Sequence, residues 1–454
     1  MKQEEALNIL KTGSNVFLTG AAGSGKTFLL NQYIAYLKKI DVNVAVTAST
    51  GIAATHLNGR TIHSWCGMGI NQSLNDAQMK NLKENEYLTL RIMYAKVLII
   101  DEVSMLSAKV LDLVNNILLA FRQDLRPFGG VQVILCGDFF QLPPIKKHEN
   151  EDDRFVVESE VWNSMDLKIC YLEEQYRQED KDFLRVLNDI RGNQVSADTV
   201  NILKTRHNQS IGVKIKPTKL YTHNNSVEAE NIFELNKLPG DEVGYEMHSE
   251  VVPHLVKSLK ESYCLAPEIL RLKIDAVVMF VKNNFGNGYA NGTLGIVRGF
   301  DEDNGYPIVE TFSGSKIIAE PERWVIEDDG MVIASVSQVP LRLAWAITVH
   351  KSQGMSLDCA EIDLSRTFEF GMGYVALSRV RTLAGMKLLG MNQLALQVDQ
   401  KAMDLDKILF TKSSQDLEEY LKIGKKEMKK IQKEFIENNK KEEVTDFFGM
   451  DLPF

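Results

Sequence analysis

The chain reads as an α/β protein in which a doubly wound parallel sheet is followed by a second αβ unit, itself interrupted by a small β-barrel. Three observations predict this. Over residues 1–165, the apolar stretches "NVFLTG", "VNVAVTAST", "AKVLIIDE" and "VQVILCGD" alternate with helical ones such as "KTFLLNQYIAYLKK", as parallel strands covered on both faces require. From about 274 to 340 helix signals vanish. "AVVMFVKN", "GTLGIVRGF", "PIVETF" and "KIIAEPERWVIED" follow one another there, with turn clusters at Asp303-Asn304-Gly305, Ser313-Gly314 and Asp329-Gly330. After 340 the αβ character returns in "THKSQG" and "MGYVALSRVRTLAGMKLLG". At 454 residues the chain exceeds one ordinary core.

In the first αβ unit the strands end at Gly20, Ser49, Asp101 and Asp138, which sets those ends along one edge, where such sheets bind ligands. "FLTGAAGSGKT" is a strand, a small-residue loop and a helix start, the context of a phosphate-binding loop. Backbone N–H groups from Gly23 to Lys26 are placed to cradle phosphates at a helix N-terminus. Lys26 reaches the β- and γ-phosphates, and Thr27 ligates Mg2+. "KVLIIDE" ends an apolar strand in Asp101, suited to an outer-sphere Mg2+ contact, and Glu102, suited to activating water. "CGDFFQLPP" adds Gln141, an amide for a γ-phosphate or for the attacking water, or simply a polar loop residue before Pro143-Pro144. Positive charge on the transferring phosphoryl group points to Arg177 in "EQYRQ" and Arg379 in "ALSRVR". Either is equally at home in a surface ion pair. Their shared place in the second αβ unit is what favours the arginine-finger reading.

Around 66–95 the alternation loosens into a polar insertion rich in Asn and Lys. The second αβ unit begins after 165 and spans 166–273 and 341–410, with the barrel at 274–340. Residues 411–454 are charged and helical, with Met428, Ile431 and Phe435 at helical spacing, which predicts an amphipathic helix packed on the body.

Composition narrows the function classes. A formal net charge of −9 leaves room for a local basic stripe but not for a global field attracting nucleic acid. Five scattered cysteines without a Cys-x-x-Cys pair disfavour a disulfide framework or a zinc site. No apolar run approaches membrane-spanning length, and "MKQEEALNILKTG" lacks a signal-peptide core. The reading is a cytoplasmic protein, prokaryotic or phage-encoded, with no membrane partner.

Taken in order, these segments resemble a superfamily-one DNA helicase of the petite integration frequency (Pif) type, from about residue 1 to about 395. "VTASTGIAATHLNGRTIHSWCGMG" resembles the early DNA-contact motifs. "LIIDEVSML", "RPFGGVQVILCGDFFQLPP", "EEQYRQ", "PLRLAWAITVHKSQGMSL" and "YVALSRVRTLAGM" match the later ones, and "RPFGG" with its following Gln is the most discriminating. The resemblance implies two RecA-like lobes with ATP between them, an SH3-like β-barrel inserted in the second lobe, and 5′→3′ movement on single-stranded DNA. It places Gln3 where an adenine-reading glutamine stands and keeps Gly20, Gly23, Ser24 and Gly25 in their loop roles. Lys26, Thr27, Asp101, Glu102, Gln141, Arg177, Gln353, Gly354 and Arg379 fall on ATP-site positions.

A single-strand track without sequence preference needs backbone contacts and stacking surfaces. Within the resembling motifs the candidates on the first lobe are Thr50, Gly51, Arg60, Thr61, His63 and Trp65, with a buried core pair as the alternative for His63 and Trp65. On the second lobe they are Thr222, His223, Thr348, His350 and Lys351. "THKSQG" thus joins residues facing DNA to Gln353 and Gly354 facing ATP, which is the coupling a translocase needs. The insertion at 66–95 stands where the family carries its strand-separating wedge, although no separating residue is evident. Expected partners are single-stranded and tailed or forked duplex DNA, with G-quadruplexes and RNA–DNA hybrids left open. The end "TDFFGMDLPF" resembles the tip of bacterial single-stranded-DNA-binding proteins, so the Asp451–Phe454 tail either docks on a partner that receives that tip or folds back on its own body. A translocase that remodels protein–DNA complexes, or an ATP-gated loader, are the competing readings. The in-chain pair of lobes disfavours the loader.

Overall fold

The structure, a computed structural model, describes all residues except 58, 70, 145–154, 179, 212–216, 251–263, 265, 283, 285, 290, 313, 329–330 and 441–454. The Asp451–Phe454 tail lies outside the described residues. The chain divides into two compact units, residues 1–179 with 398–454, and residues 180–397.

The first unit is built on a six-stranded sheet, β1 Asn15–Gly20, β2 Val44–Ala48, β3 Arg60–Thr61, β4 Val97–Asp101, β5 Gln132–Cys136 and β6 Leu167–Leu172, in the order β3-β2-β4-β5-β1-β6. Every pairing is parallel, so the carboxyl ends of all strands share one edge. β4 and β5 are buried throughout, as expected for strands sandwiched between helices. Val16, Leu18, Ile99, Ile134, Leu29, Leu30 and Leu37 form part of one core with the helices Gln3–Leu10 and Lys26–Lys39.

Two boundaries of this unit differ from the sequence reading. β6, expected in the second unit, pairs with β1 from Asn15↔Leu167 to Gly20↔Leu172, because its apolar positions complete the first core. The helix Gln400–Lys422, which the sequence reading divides at 410 between the second unit and the C-terminal extension, packs on β6. β6 is an edge strand, and an open edge leaves backbone donors without partners. Here the Ile169 N–H donates to Asp416 Oδ2 (2.7 Å) and the Tyr171 N–H to Ser413 Oγ (3.0 Å). Two strand donors two residues apart thus meet two acceptors three residues apart on one helix face. Lys168 lies within 3.7 Å of Asp416 and 3.3 Å of Glu419. On the following helix, Lys425–Asn439, Met428 and Phe435 are buried, Phe435 against Gly13.

The second unit has a four-stranded parallel sheet of β7 Thr218–Tyr221, β18 Ala346–Thr348, β19 Ala360–Leu364 and β20 Met386–Met391, ordered β18-β7-β19-β20. Between β7 and β18 lies the antiparallel region. β11 Val277–Phe280, β12 Leu294–Phe300, β13 Pro307–Thr311, β14 Lys316–Ile318 and β17 Leu341–Leu343 form one five-stranded sheet. β15 Glu322–Asp328 pairs with β16 Met331–Gln338, β16 pairs with β9 His248–Glu250, and β10 Ile269–Leu272 pairs with β8 Val243–Glu246. The region therefore begins near 243 rather than 274, since the half-exposed β8 carries too few apolar residues to announce itself. Among the described residues its strands form three separate sheets, and no pairing closes them into a barrel. Among the described residues no helix is long and apolar enough to cross a membrane, and all five cysteines are free.

Candidate nucleotide site and nucleic-acid track

β1 ends at Gly20, and the loop Ala21–Gly25 leads into the helix Lys26–Lys39. Gly23 (φ 85°) and Gly25 (φ 83°) take left-handed conformations that turn the chain, and Gly25 caps the helix. The Lys26 ammonium donates to the carbonyls of Gly20 (2.8 Å) and Ala21 (3.1 Å), so its charge already sits over the loop. Thr27 is exposed at the helix start. Ser24 is fully buried, yet its hydroxyl has no hydrogen-bond partner.

The neighbouring strand ends close around this loop. Asp101 is buried at the end of β4 and accepts from the Glu102 N–H (2.9 Å). Burial pushes its carboxyl pKa up, against the pull of a hydrogen bond with Cys136, the Glu102 N–H and the Lys26 charge. Glu102 has φ 51°, a left-handed backbone rare for a residue with a side chain and typical of functional turns. Gln141 is buried and donates from Nε2 to Asp138 Oδ2 (3.2 Å), while its Oε1 has no partner. Ser49 Oγ, after β2, and Ser104 Oγ, on a residue whose backbone nitrogen lies beside Gly137, are also buried and unpartnered. A buried hydroxyl or amide oxygen without a partner carries a desolvation cost, and such atoms mark where a ligand or water is to be received. Among the described residues no group of His, Cys, Asp and Glu suffices to hold a metal alone. The donor set around Asp101 and Thr27 instead fits an ion shared with phosphates.

Gln3 and Arg177 both belong to this unit. Gln3 Nε2 donates to the Ser24 carbonyl (3.2 Å), against Gly25. The Tyr176 N–H donates to the Gly23 carbonyl (2.9 Å), and a side chain at Gly23 would run into Arg177 Cβ. The expectation that Arg177 stands on the second unit is therefore corrected. Segment 173–178 continues directly from β6, the neighbour of β1, and stays beside the phosphate loop.

Of the first-unit track residues, Thr50 accepts from the Ala53 N–H (3.3 Å) and Thr61 from the Ser64 N–H (3.3 Å), each starting a short helix. Gly51 begins the helix Gly51–His56, Arg60 is exposed, and His63 is half-buried. Trp65 is 4% exposed, so its ring supports the core and offers no stacking face.

In the second unit, Thr222 and Thr348 are buried. Thr222 Oγ1 lies 2.8 Å from His223 Nδ1, and Thr348 Oγ1 accepts from the Lys351 N–H (3.3 Å). His350 begins the turn His350–Ser352, which leads to buried Gln353 and to Gly354 at φ 78°. Arg379 is 2% exposed and donates to the Val375 carbonyl and Ser378 Oγ, both at 2.9 Å. Desolvation pulls the pKa of His350 down and that of Lys351 down to about 8, the latter helped by nearby Arg342 and opposed by Glu228.

Two residues here escaped the sequence reading. Phe368 is 53% exposed between the two histidines, its ring centroid 4.9 Å from His223 and 6.3 Å from His350, the latter nearly parallel. An exposed aromatic beside polar rings is the surface a base stacks on, and its only signal was the pair of Phe residues in "TFEFGMG". Arg342 on β17 has a buried Nε without a partner and gave no signal, sitting in an apolar strand.

A family model for PIF1-like helicases matches residues 2–199. The ATP-dependent DNA helicase Pif1 of Psychrobacter sp. is 47% identical over 465 residues, covering 89% of this chain and 70% of the relative. The human ATP-dependent DNA helicase PIF1 is 36% identical and covers 88% of this chain, which spans 62% of that protein's length. The crystal structure of the Candida albicans Pif1 helicase superposes with a TM-score of 0.81 at 36% identity, covering 90% of this chain and 98% of that one. A Bacteroides Pif1 helicase in complex with ADP-AlF3 and single-stranded DNA gives 0.71 at 32% identity, covering 90% and 96%. With a phosphate loop, an acidic strand end and these likenesses along most of its length, the chain belongs to the Pif1 family of superfamily-one DNA helicases.

Proposed function

We propose that this ATP-dependent DNA helicase moves 5′→3′ along single-stranded DNA and separates duplexes ahead of it. The observation that supports the nucleotide part of the reading is the set of buried, unpartnered oxygens in the phosphate loop and near the carboxyl ends of the first sheet's strands: Ser24, Ser49, Ser104 and Gln141. Lys26, with the loop amides of Gly23 to Lys26, holds the β- and γ-phosphates, and Gln3 reads the base beside Gly25. Thr27 and Asp101 would hold Mg2+, which supplies charge neutralisation on the phosphates when bound. Glu102 takes a proton from the attacking water. Gln141 orients that water rather than the γ-phosphate, because its Nε2 is already given to Asp138 and the free atom is an acceptor, which a phosphate oxygen cannot satisfy. Arg177, beside Gly23, places positive charge at the phosphates. Gln353, Gly354 and Arg379 bring the second unit's response to the nucleotide.

The track is assigned to Thr50, Gly51, Arg60, Thr61 and His63 on one unit, and to Thr222, His223, Thr348, His350, Lys351 and Phe368 on the other. The antiparallel sheets of the 243–343 region are assigned to an SH3-like barrel, and the 66–95 insertion to strand separation. G-quadruplexes and RNA–DNA hybrids are further substrates to test. The Asp451–Phe454 tail is assigned to docking on a protein that receives a similar acidic, Pro-Phe-ended tip. Equal capture of that protein by the full chain and by one ending at Thr445 would overturn this.

The deciding measurement is ATP-driven unwinding of two duplexes that differ only in carrying a 5′ or a 3′ single-stranded tail. Opening of the 5′-tailed duplex alone is expected. Opening from the 3′ tail would reverse the direction, and ATP consumption without opening of either would favour the remodelling translocase.

A further inference from the structure

We infer that Arg342 and Lys351 together form a seat for one backbone phosphate of single-stranded DNA. This deepens the proposed function and rests on its assignment of a DNA track to the second unit.

β17 runs through Ala344 and Trp345 into β18, and the turn His350–Ser352 follows, so Arg342 and Lys351 flank one buried strand. Arg342 stands opposite Met279 of β11 in the antiparallel ladder, so the two side chains share a face of that sheet. Met279 is buried, and Arg342 Nε is likewise shut off from water, without a hydrogen-bond partner. Lys351 is half-buried. Its turn is held by its own N–H on Thr348 Oγ1 (3.3 Å) and by the Ser352 N–H on the Val349 carbonyl (3.1 Å). Both cations thus stand on hydrogen-bonded backbone.

Neither cation has a counter-charge in contact. Among the described residues, neither side chain makes a hydrogen bond or an ion pair, although the chain carries 61 acids against 52 Lys and Arg. Three other half-buried lysines of this unit are each matched: Lys219 by Glu230, Lys282 by Glu322 (3.0 Å) and Lys387 by Glu361 (3.0 Å). The acid that acts on Arg342 and Lys351 is Glu228, exposed on the helix Asn224–Lys237 and beyond ion-pair distance of either. Desolvation pulls the pKa of both cations down, and for Lys351 the Arg342 charge adds to it. Two like charges held together away from water are costly until an anion joins them.

A phosphodiester has the chemistry this pair lacks. The free Nε edge of a guanidinium offers parallel N–H donors to two oxygens of one phosphate, and an ammonium adds a point charge from a second side. The turn that carries Lys351 begins at His350, whose ring lies nearly parallel to that of exposed Phe368. A base stacked on Phe368 and a phosphate seated between Arg342 and Lys351 then belong to one strand. Such a contact reads no sequence; it fixes the register of the backbone on this unit.

The test measures binding of a single-stranded oligothymidylate over a range of salt concentrations, in the full chain and in Arg342→Gln, Lys351→Gln, the double variant and Arg342→Lys. Arg271→Gln, which removes an exposed cation paired with Glu242, is the control. Each single Gln variant should bind about tenfold more weakly, with the slope of log affinity against log salt reduced by about 1. Because both cations serve one phosphate, the double variant should lose no more than about threefold beyond either single, with the slope still reduced by about 1. Arg342→Lys keeps the charge without the fork and should fall between, and Arg271→Gln should match the unaltered chain. Thermal unfolding without DNA should show Arg342→Gln at least as stable as the unaltered chain, since an unpaired buried cation is gone. Multiplying losses in the double variant, about a hundredfold with a slope change of about 2, would mean two separate phosphates and would overturn the shared seat. So would a destabilised Arg342→Gln with unchanged affinity in Arg342→Lys, which makes the arginine a structural residue. A raised KM for ATP at unchanged single-strand affinity would put the anion on the nucleotide and overturn it likewise. Unchanged binding in Arg342→Gln beside weakened binding in Lys351→Gln would sink the seat alone. Unchanged binding in both would also sink the track assignment on which it rests.

Discussion

The two parallel sheets hold their functional residues in opposite ways. At the ends of the first unit's strands, buried oxygens of Ser24, Ser49, Ser104 and Gln141 are left without partners, and Glu102 is held in a left-handed turn. In the second unit several of the candidate residues have partners within the unit, although the buried Arg342 Nε has none. Arg379 is bound to Val375 and Ser378, Ser352 to the Val349 carbonyl, and Thr348 to the Lys351 N–H. The first unit is a receptacle prepared for a ligand. On the proposed function the second is a responder, which would exchange some of these internal bonds when it takes part.

The comparison can be broken or sharpened by substitution. Lys26→Ala should lower DNA-stimulated ATP hydrolysis about a thousandfold and leave single-strand affinity within a few-fold; near-normal turnover would remove the receptacle from the first unit. Gln141→Leu keeps the volume but deletes the free oxygen. It should slow hydrolysis about a hundredfold at unchanged nucleotide affinity, and a change in affinity alone would mean that the amide binds rather than orients. On the responding side, Phe368→Ala should weaken single-strand binding about tenfold by loss of stacking, with Phe368→Trp restoring it; equal affinities would leave this unit with backbone contacts only. Asp416→Ala strands the Ile169 N–H at the sheet edge and should cost about 1–3 kcal/mol in denaturant unfolding.

The smallest expected effect concerns Lys351. Its folded-state pKa, near 8, lies below the ordinary lysine value, so burial disfavours the charged form and stability rises as pH climbs from about 8 towards that value. A bound phosphate favours the charge, so DNA binding above pH 8 takes up a proton. Single-strand affinity should fall a few-fold between pH 7 and 9 and the salt slope should drop by about 1, a dependence absent in Lys351→Arg. A flat pH profile in the unaltered chain would place Lys351 off the track.

The first sheet is readable in the sequence because its candidate residues lie at or shortly after the ends of apolar strands or at a helix start, so local pattern and proposed chemistry coincide. Lys26, Thr27, Asp101 and Gln141 all gather at one edge for that reason. The sequence places Arg177 on the wrong unit, and leaves Trp65 between track and core, because the fates of both depend on long-range packing. β6 returns to the first sheet after an apolar stretch that reads equally well as the start of the next unit, and a Trp among Thr and His looks exposed until the core closes over it. Phe368 was missed for a related reason: its ring neighbour His350 lies 18 residues away, and no spacing rule links the two.

The acceptors that cover β6 also bear on how the protein is made. β6 leaves the ribosome at 167–172, but Ser413 and Asp416 follow only after the whole second unit has been synthesised. Throughout that interval the growing ATP-binding unit carries an open sheet edge, the kind of surface on which nascent chains aggregate. Its assembly is completed only by a late C-terminal segment, so a chain released early yields an exposed edge rather than a smaller working motor.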